Sequence, residues 1–464
     1  MALEISPENF GLLADRVCRA ASDYLAGLDG RASFPATSRQ AMAEVFERPL
    51  PEQGVGSAAF DDLAVIADHS RPGNARFFAY VLGSGEPVAA IGDLYASVLN
   101  QNVTAWRSAP AAVTVERTVL RWLAETIGCE GFTGSLAGGG SSANLMGLAM
   151  AREATVPGNE DGARPCAVYA SAEVHMSVPK ALAVLGTGRA NLRHIPVDEA
   201  FRMRTDALAA AIERDRRAGI PAIAIVATAG TTNTGAVDPL REIAGIAQDR
   251  GLWLHVDGAY GGLAAMAAPE LFTGLAQADS ISLDAHKWLY QPLDCSALLY
   301  RDPGAARRAF ADTGEYARPL SGDPVEGFAF FEESLELSRR FRALKLWLSL
   351  RYHGIGQFRA AIRADLDHAQ LLARLITAEP VLELLAPVEL STVCFRWNGA
   401  SEAELDRRNA AILREVLRRG RVCLSNTSIH GAFALRACII NHRTTDADIA
   451  AVVEEVVAAA AGIA

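Results

Sequence analysis

The sequence predicts an α/β protein whose main sheet is mostly parallel and covered on both faces, and three observations carry that prediction. Continuous apolar runs recur at 166–171, 192–197, 222–229, 252–257, 281–284 and 296–301. Helix-period stretches at 204–217 and 239–249 separate the earlier runs. Apolar strands divided by helices belong to a parallel sheet buried on both sides. The last two runs break the rhythm, because only residues 287–295 lie between them. That is too short for a parallel crossover, so one strand is expected to run antiparallel.

Two further units flank this sheet. Residues 1–92 read as a mainly helical arm with polar interruptions such as Ser70-Arg71-Pro72-Gly73-Asn74. An arm of that kind packs on a partner subunit or on its own chain, and the sequence leaves both open. Residues 93–350 hold the sheet. Residues 351–464 change character: an amphipathic helix at 402–419 lies between strands near 388–397 and 421–440, and a last helix starts near Thr445-Asp446. Asp446 is expected to cap that helix, and the whole is expected to be a small α+β domain.

Bulk composition narrows the classes. Of 464 residues, 50% are hydrophobic and 21% charged, which suits a large core divided among two or three units. A net charge of −10 argues against a nucleic-acid partner, since neutralising phosphates needs clustered Lys and Arg. Seven scattered cysteines without a C-x-x-C spacing suit reduced thiols and no metal site. No signal peptide and no apolar run near the roughly 20 residues of a membrane span is visible, so a cytoplasmic protein without membrane contact is expected.

The chemistry concentrates where strands end. Asp257 closes the run 252–257, and Lys287 follows the run 281–284 within Asp284-Ala285-His286-Lys287-Trp288-Leu289. A carboxylate and an amine at the ends of neighbouring strands are the two groups that pyridoxal phosphate (PLP) requires. The amine condenses with its aldehyde, and the carboxylate keeps its ring nitrogen protonated so that the ring accepts electrons. A buried Asp257 needs such a partner, and the apolar neighbours of Lys287 favour a reactive amine over a solvated one.

Other stretches gain weight only beside that pair. Gly138-Gly139-Gly140-Ser141 precedes a helical pattern, and a glycine turn at a helix N-terminus can cradle a phosphate; by itself it is an ordinary turn. His175, just after the run 166–171, can stack on a cofactor ring or face solvent at a helix start. Thr231, Thr232 and Thr234 follow the run 222–229, where hydroxyls either bond a cofactor or cap the next helix. The punctuated stretch 302–327 carries Tyr316. A connection that long is usually a lid or a mobile loop, and its tyrosine is a proton donor or surface decoration.

Together these stretches resemble the group II pyridoxal-dependent decarboxylases, the family of aromatic-L-amino-acid decarboxylase. The resemblance runs from Arg76-Phe77-Phe78-Ala79-Tyr80 to Asn441-His442-Arg443-Thr444-Thr445. Its most specific pieces are His255-Val256-Asp257-Gly258-Ala259-Tyr260-Gly261-Gly262, Asp284-Ala285-His286-Lys287-Trp288-Leu289, Arg339-Arg340-Phe341-Arg342-Ala343-Leu344-Lys345 and Leu390-Ser391-Thr392-Val393-Cys394-Phe395-Arg396. It implies the fold-type I, aspartate aminotransferase-like architecture: a helical arm, a large PLP domain with a seven-stranded sheet and a small C-terminal domain. It also implies a homodimer with active sites at the interface.

Carried over by position, the resemblance makes Lys287 the cofactor lysine and pairs Asp257 with the ring nitrogen, with His175 on one ring face and Ala259 on the other. Gly140, Ser141 and His286 fall near the phosphate, and Thr232 and Asp284 near the cofactor. Tyr316 falls on the tyrosine that protonates the substrate carbon; relatives with phenylalanine there tend to make aldehydes. Tyr80, Leu82, Asn102, Thr104 and Arg107 fall in the substrate pocket, where Arg107 is alternatively a surface arginine. With Pro72 nearby, that pocket is more polar than an aromatic binder's. Gly83 and Asp284 stand where threonine and asparagine are common. The expected activity is decarboxylation of an L-amino acid, with oxidative deamination to an aldehyde, aldol cleavage or transamination on the same scaffold as the first alternative and a non-catalytic PLP-binding protein as the second.

Overall fold

The computed structural model describes residues 3–312 and 322–463. The chain opens with helices α1 (Pro7–Ala26), α2 (Arg39–Phe46) and α3 (Asp62–His69), none of which buries a residue against its own chain. An extended stretch leads to α4 (Pro87–Leu99), then α5 (Pro110–Thr126).

The main domain alternates strand and helix in chain order: β1 (Thr133–Ala137), α6 (Gly140–Thr155), β2 (Ala167–Ser171), α7 (Ser177–Val184), β3 (Leu192–Ile195), α8 (Thr205–Arg217), β4 (Ala222–Thr228), α9 (Leu240–Arg250), β5 (Trp253–Gly258) and β6 (Ser280–Asp284). The one-turn helix α10 (Ala285–Trp288) then leads to β7 (Ser296–Tyr300), followed by α11 (Pro303–Phe310). These strands form one seven-stranded sheet in the order β1-β7-β6-β5-β4-β2-β3. As the short 287–295 connection predicts, β7 runs antiparallel to both neighbours, β6 and β1, and the pairings among β2 to β6 are parallel.

Strand β1 has no counterpart among the predicted runs. Its residues Thr133-Gly134-Ser135-Leu136-Ala137 are small and mixed in polarity, which hides a strand from a search for apolar runs. The small size is required: a Cβ on Gly134 would lie 2.2 Å from the Leu298 carbonyl oxygen.

The two faces of the sheet differ in kind. Leu254 and Val256 of β5 and Ile281 and Leu283 of β6 join the apolar cluster that includes α5, α8, α9 and α12 (Ala343–His353). Strand alternation turns Trp253, His255 and Asp257, with Ser280, Ser282 and Asp284, to the opposite face, under α6. Those six residues are all buried, so a polar stripe runs through the interior beneath one helix.

The small domain follows as α13 (Ile355–Ala378), β8 (Leu382–Leu384), β9 (Thr392–Trp397), α14 (Glu402–Arg419), β10 (Ser425–Ile429), β11 (Ala432–Cys438) and α15 (Asp446–Ile463). Its four strands pair antiparallel in the order β10-β11-β9-β8, over a separate apolar core. The α14 helix spans the predicted 402–419.

Three local expectations need correction. The N-terminal turn of α15 is closed by Asp448, whose Oδ2 accepts from the Thr445 N–H at 3.0 Å and from Thr445 Oγ1 at 2.7 Å. Asp446 instead reaches out to His368. The stretch 302–327 is not one continuous loop, since α11 occupies its start, capped by the Asp302 carboxylate on the Gly304 N–H at 2.8 Å. Positions 92/93 and 350/351 both fall inside helices, α4 and α12.

Candidate active site

Strand pairing brings the expected residues to one edge. On adjacent parallel strands, Asp257 pairs with Ser282 and Gly258 with Leu283, so β5 and β6 end side by side. Across β7, Ser296 pairs with both Asp284 and Ala137, which sets the end of β1 and the glycine turn 138–140 beside Asp284. The turn is tight by necessity: Gly139 has φ +151, and a Cβ on Gly140 would lie 2.8 Å from Ala259 Cβ and 2.9 Å from Asp284 Oδ2. Ala259 and Asp284 therefore both close in on the side of Gly140 where a side chain would stand. Ser141 is exposed on the first turn of α6, where the leading N–H groups have no helical partner.

The chain carries three lysines, Lys180, Lys287 and Lys345. Lys345 is wholly buried and committed, with Nζ 2.6 Å from Asp93 Oδ2 and 2.9 Å from the Pro292 carbonyl. Lys287 is the third residue of α10, with its side chain 18% exposed and Nζ 3.0 Å from Asp284 Oδ2. His286 is held by its Nδ1 on the Cys295 carbonyl at 3.0 Å, with Nε2 3.5 Å from Asp284 Oδ2. Burial holds its pKa below the ordinary histidine range.

Asp257 is 4% exposed. Its carboxylate accepts from Asn144 Nδ2 at 2.8 Å, from Ser282 Oγ at 3.2 Å and from the Ala259 N–H at 3.2 Å. Among the described residues no Lys, Arg or His pairs with it, so a buried negative charge is solvated by dipoles alone. Opposite it on β4, Thr228 Oγ1 is buried with no hydrogen-bond partner among the described residues. His175, in the turn before α7, has its pKa lowered by burial, and feels the charges of Asp257, Lys287 and Asp284 together.

The threonine loop divides. Thr231 and Thr234 bond each other at 2.9 Å, and Thr231 Oγ1 accepts from the Ala236 N–H, so these two hydroxyls hold the turn. Thr232 is half-buried and offers its carbonyl to Arg436 of β11 at 2.9 Å. Asn233 bonds Glu173 at 2.8 Å, tying this loop to the His175 turn.

The expected pocket residues separate into two groups. Pro72, Tyr80 and Leu82 line a cavity of about 280 Å³ with Phe77, Gln291 and Asn441. Asn102 and Thr104 belong to another segment: Asn102 Oδ1 accepts from the Arg339 N–H at 2.9 Å and the Thr104 carbonyl from the Phe331 N–H at 3.3 Å. Arg107 is exposed on that segment. Tyr316 lies outside the described residues. Sequence reasoning missed Asn144 and Ser282, though the alternation Ser280-Ile281-Ser282-Leu283-Asp284 was there to be read as a polar face.

A partly buried amine, a buried carboxylate and a buried hydroxyl that have no cation and no hydrogen-bond partner, respectively, among the described residues, and a glycine turn at a helix N-terminus fit one anionic, ring-bearing cofactor. The family model for the pyridoxal-dependent decarboxylase conserved domain matches residues 39–398. The chain belongs to that family. Aromatic-L-amino-acid decarboxylase of Bacillus atrophaeus is 37% identical over 381 residues, covering 80% of this chain and 78% of that protein. Phenylacetaldehyde synthase of Petunia hybrida is 31% identical over 386 residues, 78% of this chain and 76% of its own. The crystal structure of Oryza sativa TDC with PLP and tryptamine superposes with a TM-score of 0.93 at 26% identity, covering 100% of both chains. The protein is a PLP-dependent enzyme of fold type I, and its activity is that of an amino-acid decarboxylase.

Proposed function

We propose that the chain decarboxylates an L-amino acid at PLP carried on Lys287, with Asp257 beneath the ring nitrogen. The observation that carries this is the buried Asp257 carboxylate, with no cation paired to it among the described residues, one strand from the lysine that follows β6. The bound cofactor supplies an electron sink for the Cα–carboxylate bond.

The chain's own residues do the rest. Lys287 would hold the cofactor through its side-chain amine. Asp257 would hold a proton at the ring nitrogen, and His175 and Ala259 would confine the ring. Gly140, Ser141 and His286 receive the phosphate at the α6 N-terminus, where free N–H groups and the helix dipole favour an anion. Thr232 and Asp284 border the cofactor, and Tyr316 delivers the proton to Cα.

Tyr80, Leu82, Asn102, Thr104 and Arg107 form the substrate pocket in this reading, completed across a homodimer. The support is twofold. Those residues divide between two segments of one chain. Ile91, Leu94, Tyr95 and Val98 of α4 are exposed, and α1 has twenty residues and buries none, as surfaces that a second copy covers would be. The arm, large domain and small domain remain the proposed organisation, with their boundaries outside α4 and α12. No helix among the described residues is long and apolar enough to cross a membrane, and a cytoplasmic location fits cysteines that are all unbonded.

A panel of L-amino acids, acidic and hydroxylated ones included, tests the reading with PLP-loaded protein. Carbon dioxide and amine in equal amounts from one of them are expected. Aldehyde with carbon dioxide and ammonia in place of amine, or keto acid without carbon dioxide, would favour another reaction on this scaffold.

A further inference from the structure

Asn144, one turn into α6, has partners for both ends of its amide. Nδ2 donates to Asp257 Oδ2 at 2.8 Å and to Ser177 Oγ at 2.9 Å, and Oδ1 stands 2.9 Å from His255 Nε2. An ionised carboxylate only accepts, so the amide nitrogen must face Asp257 and the oxygen His255. That oxygen also only accepts, which puts the His255 proton on Nε2. Burial pushes the pKa of this ring down to about 4, so near neutral pH it is uncharged and its Nδ1 is an acceptor. Ser280 Oγ, 2.8 Å away, gives its hydrogen there and receives one from Trp253 Nε1 at 2.8 Å. The donors therefore all point one way, from Trp253 through Ser280, His255 and Asn144 to Asp257.

A second arm leaves the same amide. Ser177 Oγ lies 2.8 Å from His175 Nδ1, and the Ser177 N–H donates to that same nitrogen at 3.3 Å. Nδ1 is thereby an acceptor, and His175 carries its proton on Nε2. The helix is shaped for this arrangement. A Cβ on Gly147, nearly one turn beyond Asn144, would lie 2.6 Å from His255 Cε1 and Nδ1. Only glycine there leaves room for the imidazole.

We propose that Asn144 is a positioning residue that sets two cofactor-facing groups at once, the carboxylate of Asp257 directly and the ring of His175 through the Ser177 hydroxyl, with His255 and Ser280 supporting it. This rests on the reading that Asp257 and His175 border the cofactor ring. Hydrogen bonds polarised in one direction strengthen one another. Loss of the Asn144 donor removes the side-chain bond to Asp257 Oδ2 and lets the Ser177 hydroxyl turn away from His175 Nδ1.

The test measures the PLP dissociation constant and the pH midpoint of the bound cofactor's visible absorption in Asn144→Leu, His255→Leu, His255→Gln, Ser280→Ala and Asp257→Ala. A lost hydrogen bond to a charged group corresponds to about tenfold or more in affinity. Asn144→Leu is expected to weaken PLP binding by about that factor and to move the midpoint, and Ser280→Ala to move it less in the same direction. His255→Gln, whose amide N–H can still reach Asn144 Oδ1, is expected to recover most of what His255→Leu loses. A merely structural role would lower the melting temperature and leave the midpoint in place. Unchanged affinity and midpoint in the folded Asn144 and His255 variants, with both altered in Asp257→Ala, overturn the proposal. If Asp257→Ala also changes neither, the assignment of Asp257 to the ring is what fails. Should Asn144→Leu not fold, the His255 pair and Ser280→Ala decide by the same criteria.

Discussion

Lys287 Nζ and Asp284 Oδ2 lie 3.0 Å apart at the end of β6, and Asp284 also accepts from Ser296 Oγ. The family resemblance leads one to expect asparagine at position 284, so this chain adds a carboxylate beside its cofactor lysine. An amine held in an ion pair must leave that pair before its lone pair can attack an aldehyde. Asp284→Asn is therefore expected to take up PLP several-fold faster, followed as growth of visible absorbance in cofactor-free protein. Slower or unchanged uptake would remove Asp284 from the loading step.

Gly83 sets a packing limit behind the same lysine. Its N–H donates to the His286 carbonyl at 3.0 Å, and a Cβ would lie 2.4 Å from the Lys287 carbonyl oxygen and 2.6 Å from that of His286. Both obstacles are backbone, which cannot step aside as a side chain can. Gly83→Ala is expected to cost roughly 1–3 kcal/mol, the range for overpacking, and to weaken PLP binding because α10 must shift. Wild-type denaturant unfolding and wild-type PLP affinity would show that the loop absorbs the methyl group.

Asp365 predicts a pH dependence of stability. It is 1% exposed, with Oδ2 accepting from the Tyr290 hydroxyl at 2.7 Å and Oδ1 from the Asn441 N–H at 3.3 Å. Burial pushes its carboxyl up to about 8, against about 3.9 in an unfolded chain. The folded state thus binds the proton more tightly, and the stability this contributes is complete below about pH 4 and declines as pH rises toward 8. Asp365→Asn is expected to flatten the fall of melting temperature between pH 5 and 8. An equally steep fall in the variant would place the titrating group elsewhere.

Tyr316 is tested by its products. With dioxygen as the oxidant, Tyr316→Phe is expected to shift them from amine toward aldehyde and ammonia, carbon dioxide being released in both cases; a phenylacetaldehyde synthase is among the chain's relatives. Measured by chromatography of both products, an unchanged amine yield would remove Tyr316 from the proton-transfer step.

The parallel sheet and its single antiparallel strand were legible because apolar runs and a short connection report directly on pairing. The same habit of looking for apolar runs concealed β1, whose Gly134 is demanded by the approach of β7, and concealed the polar face of β5 and β6. In Trp253-Leu254-His255-Val256-Asp257 the alternation is visible in the letters. What the letters do not show is that α6 covers the polar side, so that His255 and Ser280 become buried hydrogen-bonding groups instead of solvated ones. Asp257 and Lys287 were legible because a strand-ending charge is costly wherever it is buried. Asn144 was not, since its partners come from β5 and α7, more than thirty residues away in sequence. Asp448 replaced Asp446 as the cap because the carboxylate three residues into the turn reaches back to Thr445.

The most direct test compares carbon dioxide release by PLP-loaded wild type and Lys287→Ala across the same panel of L-amino acids. Of the three lysines, Lys345 is locked to Asp93 and Lys180 sits on the exposed side of α7, so neither can stand in for Lys287. Release of carbon dioxide with equal amine by the wild type, and no turnover by Lys287→Ala, is the predicted result. Sustained carbon dioxide release by Lys287→Ala would contradict the account.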